Sequence, residues 1–142
     1  MKTEDIKALL PYADPFLFVD EILHIDENRV KGTYTFNAES GFYKGHFKGN
    51  PVTPGVLLIE AMAQIGLVCL GIYILNKNFN KKYTIALTST ECDFIKPVYP
   101  GEKVTVVSEK MYFRFGKLKC KTIMTNEAGE EVCRGTIAGM IT

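Results

Sequence analysis

The sequence has no tryptophan and only two histidines, His24 and His46. It has no excess of either charge: 17 Lys and Arg against 16 Asp and Glu leave a net charge of +1. A nucleic-acid binder of this size would show a basic stripe, so that class is set aside. The four cysteines, Cys69, Cys92, Cys120 and Cys133, are scattered. None forms a C-x-x-C pair, and two distant histidines do not complete a zinc site of ordinary spacing. Isolated cysteines in a domain of this size read as reduced core residues of a cytoplasmic protein. The N-terminal MKTEDIKALL is polar and lacks the apolar stretch of a secretory signal. No repeat, low-complexity tract or linker interrupts the chain. Its 142 residues, 46% hydrophobic, fit a single domain, 1–142, around one core.

One long hydrophobic run is present, Val56 to Leu75. Its length is that of a membrane span. It holds Glu60, Gln64 and two glycines, however, and a lone internal Glu is expensive in lipid. The run reads instead as the core helix of a soluble fold, with no membrane span. Thr53 is the expected N-cap and Pro54 the first helical position. The helix is expected to reach about Asn76, roughly 33 Å at the rise of an α-helix. Apolar residues cover nearly all its faces, so other structure must wrap it.

The remaining chain supplies the wrapping. Thr3 caps a short helix through Leu10, with Glu4 and Asp5 in its first turn. Phe16–Ile25 and Val30–Phe36 lean towards strand, with DENR as the turn between them. Residues 37–53 are loop-like. After the helix comes the polar link NKNFNKK. The rest reads as strand: Tyr83–Cys92, a piece around Phe94, then KVTVVSEKMYFRF, LKCKTIMTN and EVCRGTIAGMIT. Antiparallel strands curling around one oily helix satisfy both partners. An open sheet leaves edges to protect, so at least a dimer is expected.

Three features could carry chemistry. Glu60 lies in the second turn of the helix, with Gln64 four residues on and on the same face. A helix stripe that simply met water would show more than two polar residues in such a run. A carboxyl in apolar surroundings has its charged form disfavoured and can act as a general acid near neutral pH. His46 sits in the glycine-flanked loop KGHFKGN, where an imidazole can take a proton or merely bond to backbone. His24, between Leu23 and Ile25, reads as structural. The third feature is the helix start: the N–H groups of Gly55 and Val56 lack partners inside the helix and suit a negative oxygen. Gly55 lets a ligand approach closely, and a capping Thr53 would compete for the same donors. Base, acid and oxyanion donors within sixteen residues are the parts needed to remove water from a 3-hydroxyacyl thioester. No metal or organic cofactor is required for that chemistry.

The segment GHFKGNPVTPGVLLIEAMAQ, Gly45 to Gln64, resembles the FabZ-type 3-hydroxyacyl-acyl-carrier-protein dehydratases. PFLFVDEI upstream and DFIKPVYPGE downstream resemble the same family, so the likeness covers about residues 9 to 140. It implies an α+β hotdog fold, a curved antiparallel sheet wrapped around one long central helix. It implies a homodimer with two composite sites, often built into a trimer of dimers. His46 falls on the family's catalytic histidine and Glu60 on its catalytic acid, supplied across the dimer interface. Gly55 and Val56 fall on the backbone donors for the thioester carbonyl. The implied partner is an acyl carrier protein bearing the substrate on phosphopantetheine. It is acidic, and Lys44, Lys48, Lys96, Arg114, Lys117 and Lys119 are candidates for steering it. The resemblance implies dehydration to trans-2-enoyl thioesters in fatty acid synthesis or a related acyl-carrier pathway such as polyene or pigment synthesis.

Some positions depart from the family pattern. This chain has YADPFL where a His-Arg-Tyr-like stretch is usual, TSTECDF before the downstream motif, and Thr53 where Met is frequent. The alternatives are a hotdog thioesterase, a CoA-linked hydratase and a non-catalytic acyl-binding subunit. A thioesterase would not need His46, and a degenerate subunit tends to lose one of the two catalytic groups.

Overall fold

The computed structural model describes residues 2–76 and 83–142. Six strands form one antiparallel sheet in the order β1-β2-β4-β5-β6-β3. They are β1 (Glu21–Ile25), β2 (Arg29–Thr35), β3 (Ile85–Phe94), β4 (Lys103–Arg114), β5 (Lys117–Thr125) and β6 (Glu131–Ile141). Helix α1 (Thr3–Ala8) precedes the sheet, and helix α2 (Gly55–Leu75) lies in its concavity. The polar link expected after α2 falls largely on residues 77–82, outside the described residues.

Local chemistry sets the turns. Between β1 and β2, Asp26 Oδ1 accepts the N–H groups of Asn28 and Arg29, both at 2.8 Å. Between β4 and β5, Phe115 and Gly116 both take positive φ, 51° and 74°. That is the handedness a two-residue hairpin needs to match strand twist. Between β5 and β6, Asn126 Oδ1 accepts from Ala128 and Glu130.

Alternate residues of β4 and β5 point inward, as a strand's period of two requires. Val104, Val106 and Ser108 on β4, with Leu118, Cys120, Thr122 and Met124 on β5, are all buried. They face Ile65, Leu67, Val68, Leu70 and Ile72 of α2 in one continuous core. Small residues bring the helix against the sheet. A Cβ on Gly66 would stand 2.9 Å from that of Ser108, and one on Gly71 would overlap Ile85. The middle of α2, Gln64–Val68, widens into a π turn. Ser108 Oγ donates to the Gly66 carbonyl at 2.9 Å and ties that turn to β4. Among the described residues, α2 is the one helix long and apolar enough to cross a membrane, and most of it is buried inside the fold.

Several expected boundaries move. Phe16 to Asp20 is not strand; β1 begins at Glu21. The backbone there is engaged by a side chain: Gln64 Oε1 accepts from the Phe18 N–H at 2.8 Å, and Gln64 Nε2 donates to the Phe16 carbonyl at 3.1 Å. Helix α1 is capped from Lys2, whose N–H donates to Asp5 Oδ2 at 2.9 Å, so Thr3 is its first residue and not its cap. The loop at 37–53 contains a short 3-10 turn, Gly41–Lys44. The piece around Phe94 is the end of β3.

Candidate active site

The loop that carries His46 closes on itself. The Val52 N–H donates to the His46 carbonyl at 2.9 Å, and Phe47 and Asn50 exchange two bonds of 2.9 Å across the turn. Gly49 supplies the positive φ, 73°, that this turn uses. The half-buried His46 ring lies 2.8 Å, through Nδ1, from the Val52 carbonyl. A carbonyl can only accept, so Nδ1 carries the proton and donates. In the neutral ring that fixes the tautomer and leaves Nε2 with its lone pair. Phe47 stacks on the ring, centroids 4.0 Å apart.

The start of α2 differs from expectation in one residue. Pro54, with φ −57° and ψ 134°, is the N-cap, no side chain caps the helix, and Gly55 is its first residue. Thr53 is not the cap because its hydroxyl lies 2.6 Å from that of Tyr43 in a buried pair, and its N–H donates to the Val98 carbonyl. Thr53 therefore does not compete for the helix-start donors. Among the described residues, the N–H groups of Gly55 and Val56 meet no acceptor. Gly55 is also demanded by packing: a Cβ there would stand 2.9 Å from the Phe94 ring. An apolar cleft of about 490 Å³ opens at this point, lined by Thr53, Gly55, Val56, Leu58, Phe94 and the Ile95–Pro97 segment.

Glu60 sits one turn further along α2, half-buried. Its Oε2 accepts from Gln64 Nε2 at 2.9 Å. Gln64 is 0% exposed, and both ends of its carboxamide are engaged by Phe16, Phe18 and Glu60. Burial pushes the Glu60 carboxyl above the ordinary carboxylate range, and the Gln64 bond opposes this more weakly. Tyr12 lies close enough to feel Glu60: burial, and then the Glu60 charge, push its phenol up to about 12.

Sequence reasoning placed Glu60 and Gln64 on one face, and they are in contact. It missed Tyr12, Tyr43 and Phe94. The YADPFL departure was the only sign of Tyr12, and nothing local announces that Phe94, far along the chain, lies against Gly55. Among the described residues no hydrogen bond joins His46 to Glu60, and neither lines the cleft at Gly55. Of the basic residues singled out, Lys96 is paired with Glu130 and Arg114 stacks over Tyr112 at 4.5 Å. Lys44 and Lys48 are exposed beside the His46 loop.

Comparison with known proteins follows this geometry. A model of the FabA-like domain matches residues 10–138. The 3-hydroxyacyl-acyl-carrier-protein dehydratase FabZ of Caldanaerobacter subterraneus subsp. tengcongensis is 34% identical over 134 residues, 93% of this chain and 91% of that protein. Among solved structures, the dehydratase heterocomplex ApeI:P from Xenorhabdus doucetiae superposes with a TM-score of 0.81. It is 12% identical, with 96% of this chain and 90% of that one covered. A hypothetical thioesterase with coenzyme A from Streptococcus pneumoniae TIGR4 is also similar, at TM-score 0.64 and 15% identity, over 86% and 84% of the two chains. At such identities the two structures establish a shared fold alone. The fold is the hotdog arrangement of a curved sheet around one helix, and by the domain match and the relative covering nearly its whole length the chain belongs to the FabA-like family, on its FabZ branch.

Proposed function

We infer that this protein is a hydro-lyase that dehydrates 3-hydroxyacyl thioesters, carried on an acyl carrier protein, to trans-2-enoyl thioesters. Its FabZ relatives bear that activity in their name. The observation that carries the reading is the His46 Nδ1 bond to the Val52 carbonyl. It presents Nε2 as a base of fixed direction.

In this mechanism Nε2 of His46 takes the proton from C2. The developing enolate oxygen is held by the N–H groups at the start of α2, Gly55 and Val56. Glu60, whose raised pKa keeps its proton to higher pH than an ordinary carboxyl, gives that proton to the departing 3-hydroxyl. The C2–H and C3–O bonds break, the C2–C3 double bond forms, and water leaves. Return of the proton from His46 to Glu60 resets the site. Among the described residues no hydrogen bond joins His46 to Glu60 within one chain, so we assign the two groups of each site to two chains, with Glu60 arriving from the neighbour across the exposed edge of β3. A homodimer, alone or within a trimer of dimers, is the working unit. Cytoplasmic location belongs to the same reading and suits four free thiols.

Incubation with a 3-hydroxyacyl carrier substrate is expected to raise the absorbance of the conjugated enoyl thioester. Release of free thiol without enoyl product would instead mark a thioesterase. Binding with no turnover would mark an acyl-binding subunit. His46→Ala and Glu60→Gln are each expected to lower dehydration by about 10²–10⁴-fold with the fold intact. Near-normal turnover in either variant removes that residue from the mechanism.

A further inference from the structure

The buried pair of hydroxyls beside the cleft has no part in the mechanism above. Thr53 and Tyr43 are 4% and 5% exposed, and their oxygens are 2.6 Å apart. A phenol is the stronger donor of the two, because its conjugate anion is delocalised and it is the more acidic group. On that chemical ground Tyr43 is assigned the donor role and Thr53 Oγ1 the acceptor role. Thr53 then keeps its own proton, and among the described residues no further acceptor stands within reach of its hydroxyl. Of the two residues, only Thr53 lines the cleft, which it shares with Gly55. The Tyr43 ring meets that of Phe42, centroids 4.6 Å apart and tilted by 48°. A hydroxyl proton without a partner, on a residue that lines an otherwise apolar cleft, is suited to one kind of occupant, an acceptor oxygen brought by a ligand.

We propose that Thr53 Oγ1 is an additional oxyanion donor, hydrogen-bonding the thioester carbonyl oxygen of the acyl substrate alongside the N–H of Gly55. This deepens the dehydratase reading and rests on it. Tyr43 is then a positioning residue. Its bond fixes the Thr53 rotamer and, by loading the Thr53 oxygen, strengthens that group as a donor. A donor aimed at charge that develops in the transition state acts on kcat more than on KM.

The test compares Thr53→Val, Thr53→Ser and the double variant Thr53→Val/Tyr43→Phe in the dehydration assay, with the unaltered protein as control. Thr53→Val is expected to lower kcat by about a hundredfold with KM little changed. Thr53→Ser, which keeps the hydroxyl, is expected to restore most of the rate. The double variant leaves no orphaned phenol and so guards against a folding defect. Its kcat is expected to match that of Thr53→Val alone, because Tyr43 acts only through Thr53. The proposal is overturned if Thr53→Val turns over within about twofold of the control. It is equally overturned if the serine variant is as slow as the valine, or if only KM moves. A control that dehydrates no 3-hydroxyacyl thioester overturns the dehydratase reading itself, and this donor with it.

Discussion

At Glu60 burial and the Gln64 hydrogen bond pull the carboxyl in opposite directions, and burial is the larger influence. The consequence for stability has a definite sign. With a folded pKa above the unfolded one, the folded chain holds a proton that the unfolded chain releases as pH rises through the ordinary Glu range. The stabilisation is complete below that range and is lost as pH rises through the raised folded pKa. A neutral Gln at this position has nothing to lose. Glu60→Gln is therefore expected to raise Tm at about pH 8, by a few degrees at most, and to leave it unchanged near pH 3. Thermal melts of both proteins at the two pH values check this, and a variant that is less stable at high pH would contradict the burial argument. The helix period alone put Glu60 and Gln64 on one face. It could not reveal that Gln64 is fully buried, because the groups that occupy its carboxamide, at Phe16 and Phe18, lie 48 and 46 residues away along the chain.

Among the elements, those with a clean period were legible. Strand β5 alternates buried positions with mostly partly buried ones along its length, β4 does so as far as Ser108, and their ranges match the expected segments closely. The segment before β1 looked equally strand-like, being aromatic and β-branched. Its backbone was claimed by Gln64, a tertiary partner that no local pattern encodes. The start of α2 was misjudged by one residue for a similar reason. Thr53 is a good capping residue by type, yet Tyr43 holds its hydroxyl elsewhere. The π turn was not legible at all. It depends on how closely α2 approaches β4, which Gly66 permits and Ser108 secures. Gly66→Ala would press its methyl against Ser108 Cβ at 2.9 Å and Oγ at 3.0 Å, closer than nearly all real Cβ contacts. Overpacking of this kind costs about 1–3 kcal/mol. Chemical denaturation should show that loss as a lower midpoint at unchanged slope. No loss of stability would mean that helix and sheet can separate there without cost.

The whole molecule, taken as a single chain, leaves the β3 edge of its sheet unpaired. Strand β3 bonds to β6 on one side only, and along its length Ile85 alone is buried. Leu87 and Phe94 on this edge are 46% and 54% exposed, and Ile95 just beyond it 47%. A long exposed edge with apolar side chains towards both ends invites pairing with another chain. A second copy meeting it edge to edge about a two-fold axis would double the sheet and cover these side chains. It would also bring each chain's cleft at Gly55 next to its neighbour. That juxtaposition makes a prediction with a number attached. His46→Ala and Glu60→Gln chains are each inactive in a site that needs both groups. If the groups of one site come from two chains, an equal mixture allowed to exchange subunits forms heterodimers in half of its dimers. Each heterodimer holds one site with both groups intact and one with neither. Activity should therefore recover to about a quarter of the unaltered protein's at the same total concentration. Sites contained within one chain would recover nothing under the same exchange. Mass spectrometry of the mixed dimers establishes that exchange has occurred, so a zero recovery would count against the shared site itself.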